Sequence, residues 1–116
     1  MPRPEASSSE DRRQHRSADP VIALGRLLDA ARRRSGARSL AVADASGLLI
    51  AGAGHIQRCE ELAALAAAEG WASASDGRAR ALGVRGMPVL LCAEGAGSQA
   101  AIDDASAGTV RILMSA

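Results

Sequence analysis

Large apolar side chains start late in this chain. Met1 to Ala18 carry none after Met1 and mix Pro, Ser and charges of both signs, so they bury too little surface to offset chain entropy. Residues 1–18 are therefore expected as a disordered arm ahead of one domain, 19–116. The pattern changes at Asp19-Pro20, a favoured helix cap followed by a favoured first helical residue. Val21, Leu24, Leu28 and Ala31 then repeat at helical spacing, and Leu27 widens the stripe. Arg32, Arg33 and Arg34 suit the negative end of that helix, and Gly36 supplies a left-handed stop.

Leu40 and Val42 next alternate with small residues up to Asp44-Ala45-Ser46-Gly47, a turn composition, and Leu48-Leu49-Ile50 follow. Two strands and a tight turn make a hairpin. From about Gln57 the Ala, Leu and Glu content predicts a second helix, with Cys59, Leu62, Ala63 and Ala66 on one face and Leu65 beside it. So many alanines give little bulk to cap a sheet but allow another helix to come close. These four residues are the candidate contact of a symmetric helix pair, against a plain surface helix with Ala for propensity. Trp71 reads as a core or interface plug. Two extended runs follow, Ala79 to Val84 and Pro88 to Ala93, with Arg85-Gly86 as their turn. The last segment is open: Thr109, Val110 and Ile112 suit a strand, whereas Val110, Leu113 and Met114 fit a helical face.

Composition narrows the function classes. The 116 residues hold 14 basic groups, all Arg, against 13 acidic ones, for a formal charge of +1. Such a balance argues against a general polyanion binder, and without Tyr or Phe there is little to stack on bases, so no nucleic acid is expected as partner. The basic end of the first helix is explained by its dipole. No window reaches the roughly 18 apolar residues of a membrane span, and there is no apolar signal region, so a cytoplasmic protein without membrane contact is expected. In that setting Cys59 and Cys92 are expected as reduced thiols.

Candidate chemistry is sparse. Gly95 to Ala100, GAGSQA, matches a dinucleotide turn, but Asp103 and Asp104 come too early to hold a ribose. His55 and Cys59 have the spacing of two ligands on one helix face, yet only Cys92 is available as a third soft ligand, so no metal is expected. As a nucleophile and base the same pair lacks an orienting acid. Asp44 with Ser46 reads as a turn. No catalytic residue and no cofactor are expected.

The order of elements, with SLAVADASGLLIAGAG as a hairpin turning at Asp44 and Gly47 and Glu61, Leu62, Ala63 and Ala64 in the following helix, resembles the roadblock/dynein-light-chain family. AIDDASAGTVRILM also looks like the end of that family. The resemblance implies an α/β (α+β) fold of order α-β-β-α-β-β-β-α around a five-stranded antiparallel sheet, with Ser98 to Asp103 as the fifth strand and Gly108 to Met114 as the final helix. Members are small dimerising modules whose sheets join edge to edge, and several bacterial ones bind and regulate Ras-like GTPases. The resemblance thus implies a non-enzymatic homodimer that binds or regulates a Ras-like small GTPase, as a scaffold or GTPase-activating adaptor. A profilin-like or sensor-type ligand-binding domain is the alternative and would need a pocket. A small enzyme would need His55, Asp44 and Cys92 brought together.

Overall fold

The computed structural model describes residues 4–69 and 77–115, with side chains from residue 19 onward except at 69, 77 and 78. Its elements are α1 (Pro4–Ser35), β1 (Ser39–Asp44), β2 (Leu49–Ala53), α2 (Ile56–Glu69), β3 (Gly77–Val84), β4 (Met87–Glu94) and α3 (Ser98–Met114). The four strands form one sheet in the order β2-β1-β4-β3, with every neighbouring pair antiparallel.

Strand alternation divides the core into two layers. On β1, Leu40 and Val42 point to the face covered by α1 and α3, where they meet Leu24, Leu28, Leu91 and Ile102. Ala41 and Ala43 point to the opposite face, beneath α2. A bulge between Val42 and Ala43 puts Ala43 opposite Leu49, so Leu49 joins the α2 layer while Ile50 packs on the α1/α3 layer. Both hairpin turns lie at one end of the sheet, since Asp44 pairs with Val89. Ser39, Glu94 and Gly77 meet at the other end.

Residues 4–18, expected as a disordered arm, are described by their backbone alone, as helix continuous with α1. Glu, Arg, Gln and Ala supply adequate helix propensity there, and Pro20 lies inside the helix, at the loss of the bond its N–H would make to the residue 16 carbonyl. The expected fifth strand, Ser98 to Asp103, is the start of α3, so the described residues form a four-stranded sheet. Strand alternation there would set Ala101 beside Asp103 and Ile102 beside Asp104. Helical spacing instead buries Ala101, Ile102, Ala105, Gly108 and Thr109 on one side. The expected final helix, Gly108 to Met114, is accordingly only the second half of α3. Gly108 breaks nothing: a Cβ there would meet Leu27 Cδ2 at 2.9 Å, so the missing side chain lets α1 and α3 approach.

α3 is held along its length by arginines. Arg34 Nε donates to Asp104 at 2.8 Å, and Arg80 reaches Asp103 at 2.6 Å and the Ser106 hydroxyl at 2.9 Å. Arg85 donates to the Met114 carbonyl at 2.7 Å, a cation on the negative end of the helix. α1 and α3 therefore run antiparallel, with the start of the packed part of α1 and the end of α3 both at the turn end.

Candidate partner-binding surface

α2 is the element singled out for a partner, and its four marked residues share one face as the spacing requires. That face looks inward. Cys59, Leu62, Ala63 and Ala66 are all buried against Ala41, Ala43, Leu90 and Cys92 of the sheet. The expectation of too little bulk fails because the sheet is equally small there. Gly52 lies so close to α2 that a Cβ on it would meet Cys59 Sγ at 2.9 Å, and a Cβ on Gly47 would meet that of Ala67 at 3.0 Å. Small residues on both sides let the helix settle closely on its own sheet, with dense contact from short side chains. The residues of α2 available to another molecule are on its other side: Glu60, Ala64, Leu65 and Ala68 are exposed.

Next to α2 the sheet is partly uncovered. Ala79 is half-buried, whereas Ala81 and Gly83, on the same face of β3, are exposed. β3 is also an edge strand, bonded within the described residues only to β4. The outward side of α2 and this strip of β3 lie on the same face of the sheet, both rich in small residues.

At the far end of the sheet sits a buried carboxylate that the sequence does not single out. Glu94 is 2% exposed. Arg58 of α2 grips it, with Nε 2.9 Å from both carboxylate oxygens and Nη2 2.8 Å from Oε1, while Arg58 Nη1 donates to Glu61 at 2.6 Å. Arg38 stands 3.6 Å away, and the Ser39 hydroxyl also donates to the carboxylate. The Arg58 hydrogen bonds hold the Glu94 carboxyl below the usual range against the opposing effect of burial, and Glu94 and Glu61 raise Arg58 in turn. The arrangement ties α2 to the end of β4 and leaves neither oxygen open for proton transfer. Its only trace in the sequence is a Glu closing an otherwise apolar strand.

The other candidates stand apart. Cys59 donates to the carbonyls of Ala53 at 3.4 Å and Leu40 at 3.7 Å. Burial raises both thiols, Cys92 to about 12, which makes them poor nucleophiles. Asp44 is at the turn end of the hairpin and His55 at the other, separated by the roughly 16 Å of β2. The Asp44 carboxylate accepts from Ser46 N–H and Oγ and from Leu48 N–H, so it caps its own turn, and the Ser46 hydroxyl above all lowers its pKa. Gly97, in the suspected phosphate turn, has φ +82°, and a Cβ there would fall on the Ser35 carbonyl; a Cβ on Gly95 would meet Arg38 at 3.0 Å. Those glycines are pressed against α1 and its exit, where a pyrophosphate would have to lie. Among the described residues there is no group of three or more His, Cys, Asp or Glu placed to hold a metal, and no helix long and apolar enough to cross a membrane. Leu40, Val42 and Leu90 fill the two sheet faces, which lends no support to a ligand pocket there. Trp71 lies outside the described residues.

No protein-family model and no curated protein matches the sequence. Solved structures do match. MglB from Myxococcus xanthus superposes with a TM-score of 0.58 and 18% identity, covering 79% of this chain and 88% of its own. The gliding protein MglB from Thermus thermophilus superposes with a TM-score of 0.62 and 17% identity, covering 84% of this chain and 93% of its own. This chain has the MglB fold. The roadblock resemblance read from the hairpin and α2 thus holds at the level of the fold, with four strands among the described residues where the resemblance implies five.

Proposed function

We propose that this chain is a non-enzymatic regulatory module of the cytoplasm that binds a Ras-like small GTPase, and that it acts as a homodimer. The observation that carries the reading is the MglB fold across 79% and 84% of the chain in the two superpositions, in agreement with the sequence pattern that suggests a roadblock module. The chemistry agrees: the cysteines are buried, Asp44 is spent on its turn, and the buried carboxylate of Glu94 is fully engaged by arginine. For the dimer, the support is the surface built by the outer side of α2 and the edge of β3, whose small residues permit close approach of a second copy.

The decisive experiment is capture of purified Ras-like small GTPases of the same genome by the immobilised chain, each loaded with GDP or a non-hydrolysable GTP analogue. Nucleotide-dependent binding is the expected result; no binding in either state overturns the reading. Hydrolysis rates with and without the chain then tell a GTPase-activating adaptor from a scaffold.

A further inference from the structure

The large exposed apolar residues are unevenly spread. Val21, Ile22, Leu48, Met87 and Met114 are all exposed, Leu48 at 68% and Met87 at 65%. Leu48 and Met87 flank the two hairpin turns, at the same end of the sheet. Val21 and Ile22 stand about 20 Å up α1 from Ser35, slightly more than the roughly 16 Å length of β1, which brings them to the same end. Met114 closes α3 there, where its carbonyl accepts from Arg85. The outer strands of a four-stranded sheet are only about 14 Å apart and a packed helix layer lies about 10 Å above it, so the five residues fit within one contact patch. The opposite end is built of ion pairs around Glu94 and Asp104.

Charge indicates what covers this apolar end. Arg26, Arg85 and Arg111 are exposed around it, on α1, the β3–β4 turn and α3. Among the described side chains the acids there are Asp19 and Asp44, and Asp44 already accepts three hydrogen bonds within its own turn. A second copy across a two-fold axis would bring the same three arginines together. Residues 1–18 offer no large apolar side chain except Met1 with which to cover it. We infer that the turn end is the docking surface for a protein partner presenting acidic side chains around an apolar centre. On the proposed function, on which this inference rests, that partner is the GTPase, and the second copy takes the α2–β3 surface.

The test is GTPase capture by full-length variants. Leu48→Glu and Met87→Glu weaken binding about tenfold or more, as do Arg26→Glu and Arg111→Glu together, while Ile56→Glu, at an exposed apolar residue of the opposite end, binds as wild type. Met87→Lys binds clearly better than Met87→Glu, a dependence on charge sign that a folding defect would not produce. If wild type binds and the turn-end variants bind equally well, the inference is overturned and the function stands. If Met87→Glu changes the oligomeric mass but not capture, the surface is a self-contact and the inference fails. If wild type binds no GTPase, both fail.

Discussion

Glu94 and Arg58 show how a buried charge is tolerated in a chain with few bulky residues. Three guanidinium contacts and a hydroxyl compensate its desolvation, so removing one partner leaves an underpaired buried anion. Arg58→Ala is expected to cost about 3 kcal/mol, measured by denaturant unfolding. Glu94 titrates below its unfolded value of about 4.3, so its contribution is complete above that pH and is lost as the pH falls through the lower folded value. The difference in melting temperature between wild type and Glu94→Gln should accordingly be steady from neutral pH to about pH 5 and shrink below about pH 4; a difference that grows on acidification would contradict the arrangement. Gly97 makes a second case. With φ +82° and the Ser35 carbonyl where a Cβ would go, Gly97→Ala should cost more than the roughly 1 kcal/mol of the left-handed conformation alone, visible as a lowered urea midpoint. Neither residue stands out in the sequence for its actual role. Glu94 depends on a partner 36 positions away, and Gly97 reads as part of a possible phosphate turn because a glycine pattern does not say what it approaches.

Among elements, the hairpin, α2 and the strands on either side of Arg85-Gly86 are legible because local signals agree: alternation, turn residues and helical spacing all give the same boundaries to within a few residues. Two signals mislead. Thr109, Val110 and Ile112 favour a strand by propensity, but Thr109 and Ala105 share a helical face packed against α1. The grouping of Cys59, Leu62, Ala63 and Ala66 is correct, yet periodicity gives only the face and never what lies opposite. What lies opposite is a sheet surface of Ala41, Ala43 and Gly52, and their smallness sets how near the helix sits. The close approach is testable. Gly52→Ala should cost about 1–3 kcal/mol by overpacking against Cys59, and Cys59→Ala in the same chain should return the part due to Sγ, while the Cβ contact at 3.0 Å stays. In a double-mutant cycle the two changes should couple by about 1 kcal/mol in the compensating direction. Additive effects would mean that α2 yields to the added methyl without strain.

For the whole molecule the question is how a chain of 27 alanines among 55 apolar residues assembles. Small side chains limit what one copy can bury, and the two surfaces left open differ in kind. The α2–β3 surface is small and nearly uncharged at its centre, with Ala64, Leu65 and Ala81, beside an edge strand whose outer peptide groups can pair with another strand. The turn end is rimmed by arginine. If the first joins two copies of the chain, light scattering at micromolar concentration should give twice the 11.8 kDa of one chain. Leu65→Glu with Ala81→Arg should return the mass to 11.8 kDa without loss of the folded circular dichroism spectrum. Apolar and backbone contacts are little screened, so the dimer should persist from low to high salt, whereas charge-steered capture of an acidic partner at the turn end should slow as ions shield the arginines. A wild-type chain that runs at 11.8 kDa, or a dimer that dissociates on adding salt while partner capture does not change, would mean the two surfaces have been given the wrong occupants.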